Sequence, residues 1–169
     1  MQKFEIKKRK LNADEIELLN SEIKNDPFTS GYSEEEWADM KNVIVAENGS
    51  TLAGFCLCDE IVEGWVEIGL LFVLEKERKN GVGDSLVKVA VADAYARGKN
   101  MFIVSRNPDL SKKFESYGFK ICKLHKLPLS VIMQQILFSL KPFRIKENIR
   151  KLVSGNIKGA PVFGLLRRD

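Results

Sequence analysis

Three observations predict an α/β protein. Trp65 to Leu74 is almost continuously apolar, runs straight into Arg78-Lys79-Asn80-Gly81-Val82-Gly83, and that turn opens an amphipathic helix reaching about Arg97. A second strand-then-helix pair follows at Met101 to Ser105 and Asn107 to Tyr117. An earlier Asn48-Gly49 turn between two apolar runs reads as a β-hairpin.

Taken in order, Lys3 to Lys10 reads as a first strand, and Asn12-Ala13-Asp14-Glu15 opens a helix to about Lys24 that Asp26-Pro27 ends. Ser33-Glu34-Glu35-Glu36 has capping-box spacing and starts a short helix through Trp37 and Met40. Val43 to Glu47 and Leu52 to Leu57 form the hairpin arms, and the apolar run from Trp65 suits a strand buried on both faces. In the next helix Val82, Leu86, Val89, Ala90 and Ala94 share one side, and Gly98 supplies a left-handed stop. Asn107 is an N-cap followed by proline at N1, and Gly118 is placed just past that helix's end. Leu127 to Leu140 is strongly apolar, Lys141-Pro142 breaks it, Ile145 to Val153 reads as a basic amphipathic helix stopped near Gly155, and Pro161 to Leu166 reads as a last strand.

Composition narrows the function classes. The chain has 169 residues, enough for one domain with a real core. Cys56, Cys58 and Cys122 are an odd set, the first two on one face of a strand, which points to reduced thiols in a cytoplasmic protein. A lone His125 without clustered partners argues against a metal site and a His-dependent triad. The amino terminus lacks the apolar core of a signal peptide, and no apolar run approaches the roughly 18–20 residues of a membrane span.

The Arg78 to Asp84 segment carries the chemistry. Two glycines allow close backbone approach, the helix start offers unpaired N–H groups with a positive dipole end, and Arg78 and Lys79 add charge, so the turn suits a phosphate. It lacks the Gly-Lys-Ser/Thr ending of a P-loop, and Leu86 stands where a dinucleotide fingerprint needs its third glycine. An ordinary tight strand-to-helix turn is the competing account. Glu67 is the lone charge within Trp65 to Val73. Burial would raise its pKa and make it a proton acceptor near neutrality; the alternative is a carboxylate whose tip reaches solvent or pairs with an arginine.

Strand, Arg-x-x-Gly-x-Gly, helix, strand, Asn107-x-x-Leu110-x-x-x-Phe114 and Tyr117-Gly118-Phe119 together resemble the GNAT superfamily of acyl-CoA-dependent N-acyltransferases, over residues 41–122. The resemblance implies the GNAT fold, a central mixed β-sheet flanked by helices, and acetyl-CoA as co-substrate. It places the coenzyme A pyrophosphate on the backbone of Arg78, Lys79, Asn80, Gly81, Val82, Gly83 and Asp84, and the pantetheine arm beside Leu71, Phe72 and Val73, with Asn107 facing that arm. Glu67, eleven residues before Arg78, falls where some members carry a general-base glutamate. Phe114 stands where many members have a tyrosine that protonates the departing thiolate, and phenylalanine has no proton to donate. Phe28 to Trp37 would border the acceptor, a small-molecule or peptide amine.

The carboxyl end departs most from that pattern. From Lys141 onward eight Lys/Arg face two acids, a net +6, and since the whole chain carries +4, residues 1–140 carry −2. Three accounts compete for residues 127–160 of what reads as a single domain: an insertion before the last strand whose apolar residues are buried as a packed lid or homodimer element, a membrane-surface or protein-docking element, and a nucleic-acid contact. The absence of a reading motif or interleaved aromatics argues against the last. The expectation is therefore acetyl transfer to a primary amine, with acyl-CoA binding without transfer, and a basic membrane or RNA adaptor, as alternatives.

Overall fold

The computed structural model describes residues 4–153, 155 and 160–168. Among the described residues seven strands form one sheet in the order β1-β2-β3-β4-β5-β7-β6. They are β1 (Glu5–Lys8), β2 (Val43–Asn48), β3 (Thr51–Val62), β4 (Trp65–Val73), β5 (Asn100–Ser105), β6 (Lys120–Cys122) and β7 (Val162–Leu166). Six helices accompany them: α1 (Ala13–Asn25), α2 (Glu34–Asp39), α3 (Val82–Ala96), α4 (Pro108–Ser116), α5 (Leu129–Ser139) and α6 (Pro142–Val153). Only β4 and β5 pair in parallel; the other neighbours are antiparallel.

Local chemistry explains most element ends. Asn12 and Ser33 both close reciprocal capping boxes, with Glu15 and Glu36 returning to the cap amides. The first strand is shorter than the sequence suggests, and Lys3 lies outside the described residues. β3 runs past Leu57 to Val62, because a second turn at Gly64 (φ +80°) folds β4 back along it. Pro142 does more than end the apolar run: it opens α6, where its missing N–H costs nothing. The residues between Val153 and Ala160 other than Gly155, part of the predicted insertion, lie outside the described residues.

The sheet is packed on both faces. Val82, Leu86, Val87, Ala90 and Ala94 of α3 cover Val66 and Ile68 on one side, while Leu19, Ile23 and Trp37 of α1 and α2 cover Leu70, Phe72 and Leu74 on the other. Ile68 and Leu70 are two apart and would normally face the same way. They do not, because Leu57 pairs with Leu70 and Cys58 with Ile68, leaving Gly69 as an unpaired extra residue in β4. The bulge exchanges the faces of the second half of the strand. Cys56 and Cys58 are buried free thiols, their sulfurs 3.4 Å apart.

The carboxyl-terminal helices lie between β6 and β7, and β7 enters the sheet between β5 and β6. Val131 of α5 packs with Phe102, Leu127 and Leu165. Within the single chain the apolar residues of α6 are not buried. Its buried stripe is Arg144, Glu147 and Lys151, while Ile149, Leu152 and Val153 are exposed, as are Leu129, Leu137 and Leu140 of the α5 segment. The polar stripe turns inward because the 26–31 loop presents backbone groups that need partners. The Lys151 ammonium donates to the carbonyls of Ile23, Asp26 and Thr29, Glu147 accepts the Gly31 N–H at 3.1 Å, and Arg144 donates to the Gly31 carbonyl at 2.9 Å. No helix among the described residues is long and apolar enough to cross a membrane.

Candidate active site

A cleft of about 730 Å³ opens where β4 and β5 part. Their parallel pairing ends at Ile68 and Ile103, yet β4 continues to Val73 and β5 to Ser105. From Gly69 to Val73 the β5-facing edge of β4 therefore pairs with no strand among the described residues. Such an edge is a template for an extended ligand with amide groups.

The turn after β4 forms one end of the cleft. Lys79 (φ +66°) and Gly81 (φ +82°) both adopt the left-handed region, bending the chain sharply into α3. The first bond into α3 runs from the Ser85 N–H to the Gly81 carbonyl at 3.1 Å, so the amides of Val82, Gly83 and Asp84 precede any intrahelical bond. Protein packing does not require a glycine at 83: a Cβ built there meets just Val73 Cγ2, at 3.6 Å, an ordinary contact. The open volume above Gly83 fits a phosphate group approaching the helix start.

Most residues expected at the cofactor line this cleft: Leu71, Phe72, Val73, Arg78, Lys79, Gly81, Val82, Gly83, Asp84, Asn107 and Phe114. Asn80 is exposed and does not line it. Four of the residues that line it also make contacts within the fold. Asp84 ties α3 to α4, pairing with Lys113 at 2.6 Å and accepting from the Tyr117 hydroxyl, and against the burial that would raise its pKa these partners hold its carboxyl below the ordinary value. Asn107 Oδ1 caps α4 by accepting from the amides of Asp109 (3.0 Å) and Leu110 (3.5 Å). Phe114 is 3% exposed, packed edge-on against Tyr117 and Phe119, and belongs chiefly to the core. The Arg78 guanidinium folds back over Phe72, with Nε donating to the Val73 carbonyl at 3.1 Å.

Glu67 stands at the other end. It is partly accessible from the cleft but otherwise enclosed, and burial pushes its pKa up to about 7. The Gln135 side chain opposes that shift by donating to Glu67 Oε2 at 3.0 Å, the neighbouring Asp59 charge adds to it, and Arg144 opposes it. A carboxylate poised near neutrality and open to a cleft can accept a proton from a bound group. Burial likewise raises the phenol of Tyr32 to about 12, against the attraction of Arg144. The 28–37 segment divides: Phe28, Thr29, Ser30 and Tyr32 line the cleft, but Trp37 is core, its indole N–H donating to Asn20. Of the acidic run, Glu36 is spent on its own helix cap and on Arg144.

Sequence reasoning missed Gln135 and Arg144. Gln135 is one of only two polar residues between Val131 and Phe138, a signal that something polar awaits it. Arg144 left no comparable trace among the other basic residues around it.

An acetyltransferase of Agrobacterium fabrum is 32% identical over 89 residues, a match spanning 52% of this chain and 64% of that protein. A Bacillus subtilis acetyltransferase solved in complex with CoA superposes over 99% of this chain and all of its own, at a TM-score of 0.66 and 18% identity. N-acetylglutamate synthase from Neisseria gonorrhoeae, solved with coenzyme A and N-acetyl-glutamate, superposes over 97% of this chain and 36% of its own, at 0.68 and 17%. These two likenesses are of fold. The family model described as acetyltransferase (GNAT) matches residues 13–119, well over half the sequence, and the chain belongs to the GNAT acetyltransferase family.

Proposed function

We propose that the chain transfers an acetyl group from acetyl-CoA to a primary amine by direct attack in a ternary complex. The observation carrying this reading is that Glu67, with its pKa near 7, lines the same cleft as the phosphate-type turn at the start of α3. Acetyl-CoA supplies the activated thioester. Val82, Gly83 and Asp84 offer backbone N–H groups to its pyrophosphate, and the unpaired edge from Gly69 to Val73 holds the amide-bearing arm and offers an N–H to the acyl oxygen. Glu67, charged above pH 7 and oriented by Gln135, takes the proton from the amine directly or through one water. The chain need not supply an acid for thiolate departure, since a thiol of ordinary pKa, about 8.5, is a tolerable leaving group near neutrality.

Thiol release from acetyl-CoA over a panel of amines tests the reading, and amine-dependent release that Glu67→Gln removes supports it. Binding without transfer is a second reading, favoured by the core role of Phe114 and by the engagement of the Tyr117 hydroxyl with Asp84. Acetyl-CoA binding with no thiol release for any amine would select it.

A further inference from the structure

The acceptor end of the cleft contains a buried cation that the fold does not fully use. Arg144, on α6, is 5% exposed and lines the cleft together with Glu67, Tyr32 and Gln135. Its guanidinium is fixed in place: Nε donates to Glu36 Oε1 at 3.0 Å and Nη1 to the Gly31 carbonyl at 2.9 Å. The Tyr32 and Phe138 rings lie 4.0 Å and 4.5 Å from it. Nη2 is buried and has no acceptor among the described residues. Leaving a charged donor unmet away from water is costly, so it calls for a partner beyond the described residues.

Charge indicates what that partner is. Lys141 Nζ lies 3.9 Å from the same Glu36 oxygen that Arg144 uses, so two cations share that carboxylate, and Glu67 is the other carboxyl group whose charge Arg144 feels. A stacked, immobile guanidinium presents its donors in a plane that matches a carboxylate, and it has already lost its side-chain freedom before any ligand arrives. The ligand must also bring an amine to Glu67 within the same cleft. Building on the transferase reading above, we propose that Arg144 anchors a carboxylate of the acceptor, which makes the acceptor a small amino acid rather than a simple amine.

The test compares acceptors on the unaltered protein, so it does not depend on a variant's folding. Thiol release from acetyl-CoA is measured with a series of free amino acids, their amides, the corresponding decarboxylated amines, and phosphoethanolamine. For the best amino acid, kcat/KM should exceed that of its amide by about 10- to 100-fold, the range of one charge-assisted hydrogen bond. Arg144→Gln should collapse that ratio towards one. With CoA bound, the free amino acid should raise the melting temperature of the unaltered protein and its amide should not. Amides or simple amines acetylated as well as the acids would overturn the carboxylate assignment while leaving the transferase reading intact. Preference for phosphoethanolamine would overturn it in favour of a phosphate. If CoA binds and no amine is acetylated, both readings fall together.

Discussion

Gly83 offers the sharpest separation of what the fold needs from what a ligand needs. It is the second residue of α3, and a Cβ there meets only Val73 Cγ2, at 3.6 Å, an ordinary contact. Gly83→Ala should therefore not harm the free protein. Glycine costs a helix interior about 0.5–1 kcal/mol relative to alanine, and somewhat less in a first turn, so a gain of about 0.5 kcal/mol is expected. For a chain of this size that is about 1–2 °C in melting temperature. The added methyl would, however, stand where the pyrophosphate must approach. Acetyl-CoA at 100 times its dissociation constant should stabilise the parent protein by about 2.7 kcal/mol, roughly 5–11 °C. A tenfold loss of affinity removes about 1.4 kcal/mol of that, and the bulkier Gly83→Val should remove nearly all of it. Gly81→Ala is the contrasting control: nothing lies within 4 Å of its Cβ, but φ is +82°, so the free protein should lose about 1 kcal/mol. Melting curves of the three variants, with and without acetyl-CoA, decide the matter. A destabilised free Gly83→Ala protein, or one that keeps the full acetyl-CoA shift, would refute the assignment of this turn as a phosphate cradle.

Other outcomes follow from the same structure. Activity as kcat/KM should fall as pH drops through about 7, where Glu67 takes up a proton, and Glu67→Gln should lower turnover about 10²–10⁴-fold without changing acetyl-CoA affinity. Gln135→Leu should move that acid limb to higher pH, because its hydrogen bond favours the charged carboxylate; a pH–rate profile checks both. Since the Glu67 pKa is raised on folding, its contribution to stability declines as pH rises from its unfolded value through about 7. Glu67→Gln should accordingly stabilise the free protein at pH 8 but not at pH 4, as read by denaturant titration. The inward polar stripe of α6 predicts that Lys151→Ala, which strands three carbonyls, costs about 2–3 kcal/mol, while Ile149→Ser on the exposed side stays within about 0.5 kcal/mol. Phe114→Ala should cost about 3–5 kcal/mol in the same titration, as expected of a nearly enclosed core ring.

Much of this protein is determined by short stretches of sequence, and those parts are legible without coordinates. The caps at Asn12 and Ser33, the left-handed glycines 81 and 118, and the strand–turn–helix around Arg78 depend on residues within a few positions of one another. Local steric and hydrogen-bonding rules settle them, so the phosphate-type turn and the isolation of Glu67 could be read directly, while the mixed sheet was implied by the family resemblance. What only the tertiary structure decided involves partners far apart in the chain. The bulge at Gly69 depends on the register between β3 and β4, and that register determines which face Glu67 shares. Gln135 reaches Glu67 across 68 positions, and Arg144 reaches Glu36 across 108. For α6 the periodic pattern marks two faces without saying which one meets the rest of the chain. Its apolar stripe remains exposed because the loop between α1 and α2 offers buried backbone groups that a charged stripe can satisfy and an apolar one cannot. Periodicity records which side chains share a face, but what that face meets is decided by the unpaired polar groups of distant segments.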